Sequence, residues 1–337
     1  MGIKREDYTG DIQLTRGKQN IRYERDGESA FAKIVTTHDG SRENLTRLKR
    51  EKHALDKLRD TGIVPKVISF KEYGEDKARL LLEELPGESF DHMPWQERAK
   101  FAKQHAQEIV SETGKSLHKI HNSGVFVVDV NVGTFLFDAE ADDALGVHVL
   151  DLELAHDADS DDEESLRDSI DHFKRNDLGF TLAKQEGTTL PEDEELLMKA
   201  ELYRWAKTMK KILIHRYPEL EIPTSKQEQL EAYLERIRPV LEEDLIRKAG
   251  GLFKRVQARG NEQDVNVIAR GLEDFSSNYI KKNIDNALNG ASSDFNFTEL
   301  CEANGIDLPV QYSEFISQCL SMDIDSRPDS FEELIQQ

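Results

Sequence analysis

Apolar positions fall at strand spacing through the first 36 residues and at helical spacing soon after. Asp11–Leu14, Ile21–Tyr23 and Ser29–Val35 read as three strands, the last two joined by a tight Asp26-Gly27 turn. Ser41–Leu58 reads as a helix, with Leu45, Leu48, Ala54, Leu55 and Leu58 on one face and Ser41 as its N-cap. Ile63–Phe70 and Ala78–Leu82 follow as strands on either side of a polar turn at Tyr73–Lys77. The second runs into Pro86-Gly87, where strand pairing must stop.

A long helix is expected over Trp95–Ile120, apolar along Phe101, His105, Ile109, Val110 and Leu117 and halted by Asn122-Ser123-Gly124. Three short apolar runs come next: Val125–Val128, Phe135–Phe137 and, beyond an acidic turn at Asp138–Gly146, Val147–Leu150. Asp129 lies between the first two runs and Asp151 ends the third. Two carboxylates therefore sit at the ends of buried runs, where the backbone is held and a side chain can face a cleft, a pattern also common in ordinary sheets. The acidic stretch from Asp157 to Ser165 reads as a solvated loop or helix start. Residues 191–290 are mostly helical in pattern, as in Leu196-Leu197-Ala200-Leu202-Tyr203 and in Leu230-Tyr233-Leu234-Ile237, the latter stopped by Pro239. Lys207, Lys210, Lys211, His215 and Arg216 form a basic cluster in this block, read as a solvated helix face.

Composition narrows the function classes. A net charge of −21 argues against a general nucleic-acid binder, which needs a basic face to displace counterions. With 33% charged residues, a mean hydropathy of −0.64 and no apolar run near the ~18 residues of a membrane span, a soluble protein without membrane attachment is expected. The start, MGIKREDYTGD, lacks the apolar core of a signal peptide, and Cys301 and Cys319 are too few for a disulfide framework. These features point to the cytoplasm.

The order of the chemistry-bearing residues resembles that of the protein-kinase-like superfamily. His121 stands eight residues before Asp129, a hairpin follows, and Asp151 comes after it. Upstream, Lys33 in Ala32-Lys33-Ile34-Val35 precedes Glu51 of the next helix by 18 residues. Gly17-Lys18-Gln19-Asn20 takes the place of the glycine-rich loop, with Gly17 its one glycine, and Glu83-Glu84-Leu85-Pro86-Gly87 that of the linker between lobes. Near the end, Asp323-Ile324-Asp325-Ser326-Arg327-Pro328 is similar to the segment that closes Ser/Thr protein kinases.

The resemblance implies an α+β, two-lobed fold: a small antiparallel sheet with one helix over residues 1–85, and a large, mainly helical lobe over 86–337. An extra helical block is expected at about 185–300, with residues 191–290 offering a surface to a protein partner. The resemblance further implies ATP as phosphate donor and Mg²⁺ or Mn²⁺ as the metal. Lys33 and Glu51 would position phosphates beneath Gly17, and the Glu83 carbonyl and Leu85 amide would meet the adenine edge. Asp129 would orient and deprotonate the acceptor, and Asp151 would hold metal. Leu178-Gly179-Phe180-Thr181-Leu182 resembles the start of the large helix of the second lobe.

Three positions depart from the family pattern. Val127-Val128 replaces His-Arg, and Thr134 replaces the metal-binding Asn, with Asn131 near it where a Lys is usual. Asp151-Leu152-Glu153 replaces Asp-Phe-Gly, as in aminoglycoside-phosphotransferase-like kinases. The expectation is a Ser/Thr protein kinase acting on a protein substrate, with Thr134 as second metal ligand. The alternatives are a pseudokinase that binds nucleotide or acts as a scaffold, and a small-molecule kinase.

Overall fold

The computed structural model describes residues 18–25, 28–36, 43–73, 77–141, 144–160, 163–176, 193–215, 297–321 and 323–336. The expected strand at Asp11–Leu14, Gly17, the Asp26-Gly27 turn, the Ser41 cap, the Leu178–Leu182 helix start, Leu230–Pro239 and Arg216 lie outside these residues.

Strands β1 (Lys18–Arg25), β2 (Glu28–Thr36), β3 (Val67–Glu72) and β4 (Lys77–Glu83) form an antiparallel sheet in the order β1-β2-β4-β3. Side chains alternate across it. Ile21, Ala32 and Leu81 pack together on one face, while Val35, Leu80 and Leu82 pack on the other with Leu45, Leu48, Ala54 and Leu55 of helix α1 (Glu43–Lys57). Lys33 shares its parity with Val35, so its side chain is delivered to the α1 side. Lys18, Gln19 and Asn20, expected in a loop, belong to β1 and pair with Val35, Ile34 and Lys33. As β1 is an edge strand, the ladder bonds the backbone groups of alternate residues here and leaves the others facing away from β2.

The second part is organised on helix α2 (Trp95–Asn122), whose last turn closes as the sequence suggests: Gly124 takes φ 69° and donates its N–H to the His121 carbonyl at 2.8 Å. Strands β5 (Glu88–Ser89), β7 (Phe135–Asp138) and β8 (Gly146–Val149) form one small sheet, and β6 (Val125–Phe126) pairs with β9 (His156–Asp157). Helices α3 (Glu163–Asn176), α4 (Asp193–Leu213), α5 (Val310–Cys319) and α6 (Glu332–Ile335) complete the part, with a further helical segment at 297–303.

Trp205 of α4 sits at the centre of this core. It meets Phe331 edge-on at 5.1 Å and Phe315 at 5.9 Å, pairs worth about 1 kcal/mol each beyond their buried area. Its indole N–H donates to Thr113 Oγ1 at 2.9 Å. The Arg-Pro segment seals the same region: buried Arg327 donates to the carbonyls of Ser321 and Lys199 and lies 4.5 Å from the Tyr203 ring. Of the basic cluster, Lys207 and Lys211 are exposed but Lys210 is buried, so it is not a uniformly solvated face. Among the described residues, no helix is long and apolar enough to cross a membrane.

Candidate active site

A cavity of about 560 Å³ lies where the sheet part meets the β7–β8 hairpin. Phe31 and Leu82 line it from the sheet, and Leu136 and Leu150 from the hairpin, so its walls are apolar enough to take a flat ring. Glu83, Glu84 and Leu85 line one side. Gly87 takes φ 103°, and a Cβ there would stand 2.5 Å from the Phe137 carbonyl oxygen; only glycine lets the chain pass.

Lys33, Glu51, Asp151 and Glu153 also line the cavity. The Lys33 ammonium donates to Glu51 Oε1 at 2.6 Å and to Asp151 Oδ1 at 3.1 Å, with Glu153 Oε1 at 3.9 Å. Burial alone would lower the pKa of Lys33, but Glu51, Asp151 and Glu153 outweigh it, and the net shift is upward: the side chain stays a cation. Glu51 is fully buried, which pushes its carboxyl up against the pull of Lys33. Asp151 follows β8 with φ 60°, a left-handed conformation uncommon outside glycine and paired here with its position at the cavity. One oxygen each from Glu51, Asp151 and Glu153 lie within 4.8 Å of one another, a hard-oxygen set of the kind Mg²⁺ and Mn²⁺ take.

Asp129 is held differently. It follows Val128, whose φ of 69° is an outlier for a β-branched residue. The strained turn is fixed from α4: Glu201, with no solvent exposure, accepts the Val128 N–H at Oε2 (3.0 Å) and His121 Nε2–H at Oε1 (2.7 Å). The Asp129 carboxylate pairs with Arg204, one turn further along α4, and Oδ1 lies 3.4 Å from His172 Nε2 on α3. Partial burial would raise its pKa, but the nearby His172 ring and the Arg204 charge prevail, so Asp129 sits below the usual carboxylate range.

Thr134 is not among the residues that line the cavity. It is fully buried; its hydroxyl donates to the Asp129 carbonyl at 3.1 Å and accepts the Asn131 N–H at 3.0 Å. Asn131 is occupied in the same loop, donating to the Asp129 carbonyl and accepting the Gly133 N–H. The two side chains bracket the loop that carries Asp129.

Lys33, Glu51 and Asp151 thus converge as the sequence suggested, and Glu83 and Leu85 line the same cavity. Glu201, Arg204 and His172 were not anticipated. Glu201 did carry a signal: Leu197, Glu201 and Trp205 fall on one helical face, and a carboxylate on an apolar stripe needs buried partners.

The order of elements, with a four-stranded sheet and one helix ahead of a mainly helical part and the Lys33–Glu51–Asp151 cluster between them, resembles that of protein-kinase-like proteins. A family model that matches part of the chain, residues 37–186, is that of the lipopolysaccharide kinase (Kdo/WaaP) family. Two solved structures similar to this chain are WaaP in complex with acyl carrier protein and the Cydia pomonella granulovirus kinase PK-1. The first is 18% identical, covering 68% of this chain and 88% of its own, with a TM-score of 0.36. The second is 13% identical, covering 97% and 92%, with a TM-score of 0.46. No curated protein matches.

Proposed function

We propose that this chain is an ATP-dependent kinase that transfers the γ-phosphate to an alcohol hydroxyl. The observation that carries the reading is Lys33, bonded to Glu51 at 2.6 Å and to Asp151 at 3.1 Å at a ring-sized cavity. Phosphoryl transfer asks for positioning and charge neutralisation rather than covalent help. Lys33, fixed by Glu51, would hold the phosphates, and the Glu83 carbonyl and Leu85 amide would meet the adenine edge. Asp151, with Glu153 beside it, would hold Mg²⁺ or Mn²⁺, which when bound neutralises phosphate charge. Asp129 would orient the acceptor hydroxyl and take its proton as the oxygen bonds to phosphorus and ADP leaves.

The acceptor is a Ser or Thr hydroxyl of a protein in the reading that gives weight to the Arg327-Pro328 segment. A second reading, a sugar hydroxyl, draws on the match of residues 37–186 to a lipopolysaccharide kinase family. It gains ground because Arg327 works as a packing seal, a role any acceptor would tolerate. The test is transfer of label from γ-labelled ATP with Mg²⁺ or Mn²⁺ to a protein acceptor and, separately, to a lipopolysaccharide-core sugar, each beside Asp129→Ala. Label lost in the variant supports the kinase, and the acceptor that takes it decides between readings. Equal label with and without Asp129 would overturn the assignment.

A further inference from the structure

In phosphorylation-regulated kinases the Lys–Glu pair forms only when a phosphate on the segment beyond the metal-binding Asp meets cationic side chains and sets the helix carrying the Glu. Here the cationic side chains of α1 that face that segment already have partners. Arg50, His53 and Lys57 of α1 face the segment from β9 into α3. Arg50 Nη1 lies 2.8 Å from Asp168, His53 Nε2 lies 2.8 Å from Asp157, and Lys57 bonds both Asp157 and Asp159, the latter at 2.7 Å. Glu51 is on the same helix, one residue past Arg50.

The innermost of these contacts carries most weight. The Asp157 and Lys57 side chains are 12% and 23% exposed, while Asp159 is 80% exposed and its share is weak. Burial would raise the Asp157 carboxyl, yet hydrogen bonds from Lys57 and His53 hold it below its usual range. Asp157 is also anchored on the catalytic side: it pairs with Val125 in the β6–β9 ladder, three residues ahead of Val128. Gly124 makes room for the contact, since a Cβ there would stand 3.1 Å from Lys57 Nζ and 3.2 Å from Asp159 Oδ2. Ser165, in the same segment, is 4% exposed with its hydroxyl 3.4 Å from His156 Nδ1, so a phosphate could reach it only if the segment opened.

We infer that Arg50, His53 and Lys57, paired with Asp157, Asp159 and Asp168, form a built-in charge clasp that keeps α1 in place, and Glu51 on Lys33, without phosphorylation of the segment. The clasp residues are positioning residues, and the inference rests on the kinase reading for its consequence but not for its geometry. Carboxylates supply permanently the charge that a phosphate supplies on demand.

The test uses the full chain, shown by mass to carry no phosphate after phosphatase treatment. Amide hydrogen exchange of α1 is compared in wild type, Lys57→Asp, Asp157→Lys and the double swap, alongside phosphotransfer. Wild type is expected to keep α1 protected. Each single variant should expose α1, leave α2 protected and lower kcat/KM for ATP roughly ten- to hundred-fold, the cost of a misplaced catalytic group. The swap, whose long and short side chains sum to the same reach, should restore both, and Ser160→Ala should change neither. Asp157→Asn serves as the single variant if Asp157→Lys does not fold. Unchanged α1 exchange in Lys57→Asp, or loss of α1 protection when wild type is dephosphorylated, would overturn the clasp. Exposure in the singles with recovery in the swap sustains it even if wild type transfers no phosphate, the result that would sink the kinase reading alone.

Discussion

The two ends of the site are built on different plans. At the end proposed for the nucleotide, Lys33, Glu51 and Asp151 come from a strand, the next helix and a strand end, and Lys33 bonds both carboxylates. At the end proposed for the acceptor, Thr134 and Asn131 bracket the Asp129 loop, while Glu201 holds the preceding Val128 N–H and Arg204 and His172 face the carboxylate, these last three from helices at least 43 positions later in the chain. The first end is preorganised by mutual attraction of opposite charges. The second is a strained loop, with Val128 at φ 69°, stabilised from a distant helix. The difference teaches that the ends should fail separately: damage to α4 or α3 should spoil transfer while leaving ATP binding in place.

Asp129→Ala is expected to have the largest effect. Transfer should fall roughly 10²–10⁴-fold, the usual contribution of a positioned base, while ATP affinity stays near that of wild type. Titration calorimetry beside the transfer assay reads both quantities. Next comes Glu201→Ala, which strands the His121 Nε2–H and the Val128 N–H in a dry interior; about 3 kcal/mol of stability should be lost, read as a lower midpoint in urea at unchanged slope. Were stability kept and only transfer lost, Glu201 would not be the support of this loop.

Thr134→Val sharpens the comparison at smaller cost. As a loop bracket, Thr134 should lower kcat several-fold, on the order of one lost hydrogen bond, without moving the Mg²⁺ concentration for half-maximal rate. A marked rise in that concentration would restore it as a metal ligand. The smallest effect at neutral pH is expected from Arg204→Met. Asp129 lies below its usual range because the nearby His172 ring and the Arg204 charge outweigh burial, so the acidic limb of kcat/KM in wild type should lie below the ordinary carboxylate pKa of about 3.9. Removing Arg204 takes away a stabiliser of the ionised form, raises the Asp129 pKa and moves that limb to higher pH. A pH–rate profile that does not move would separate Arg204 from the chemistry.

The same contrast explains what could be read in advance. Lys33, Glu51 and Asp151 are legible because each belongs to a short element with a strong pattern: a lysine in an apolar strand, an amphipathic helix, an apolar run ended by Asp. The α2 stop at Gly124 and the hairpin after Asp129 followed from equally local chemistry. Arg204 and His172 carried no such mark, since charged residues on helices are ordinarily solvated, and only the packing of α3 and α4 turns them toward Asp129. Thr134 was assigned to metal from its position in the motif. In the structure its hydroxyl bonds the loop backbone, an arrangement set by the buried turn from Asp129 to Thr134 that no periodicity reveals. Lys18–Asn20 read as loop from the motif but fold as strand because the ladder with β2 continues to Val35.

The central claim, that an ATP site anchored by Lys33 is separate from an acceptor site anchored by Asp129, is tested most directly by calorimetric titration of Mg·ATP into wild type, Lys33→Met and Asp129→Ala. The expected result is binding by wild type, equal binding by Asp129→Ala and binding weakened at least about tenfold in Lys33→Met, as for loss of a charged hydrogen bond. Equal affinity in Lys33→Met and wild type would contradict the account.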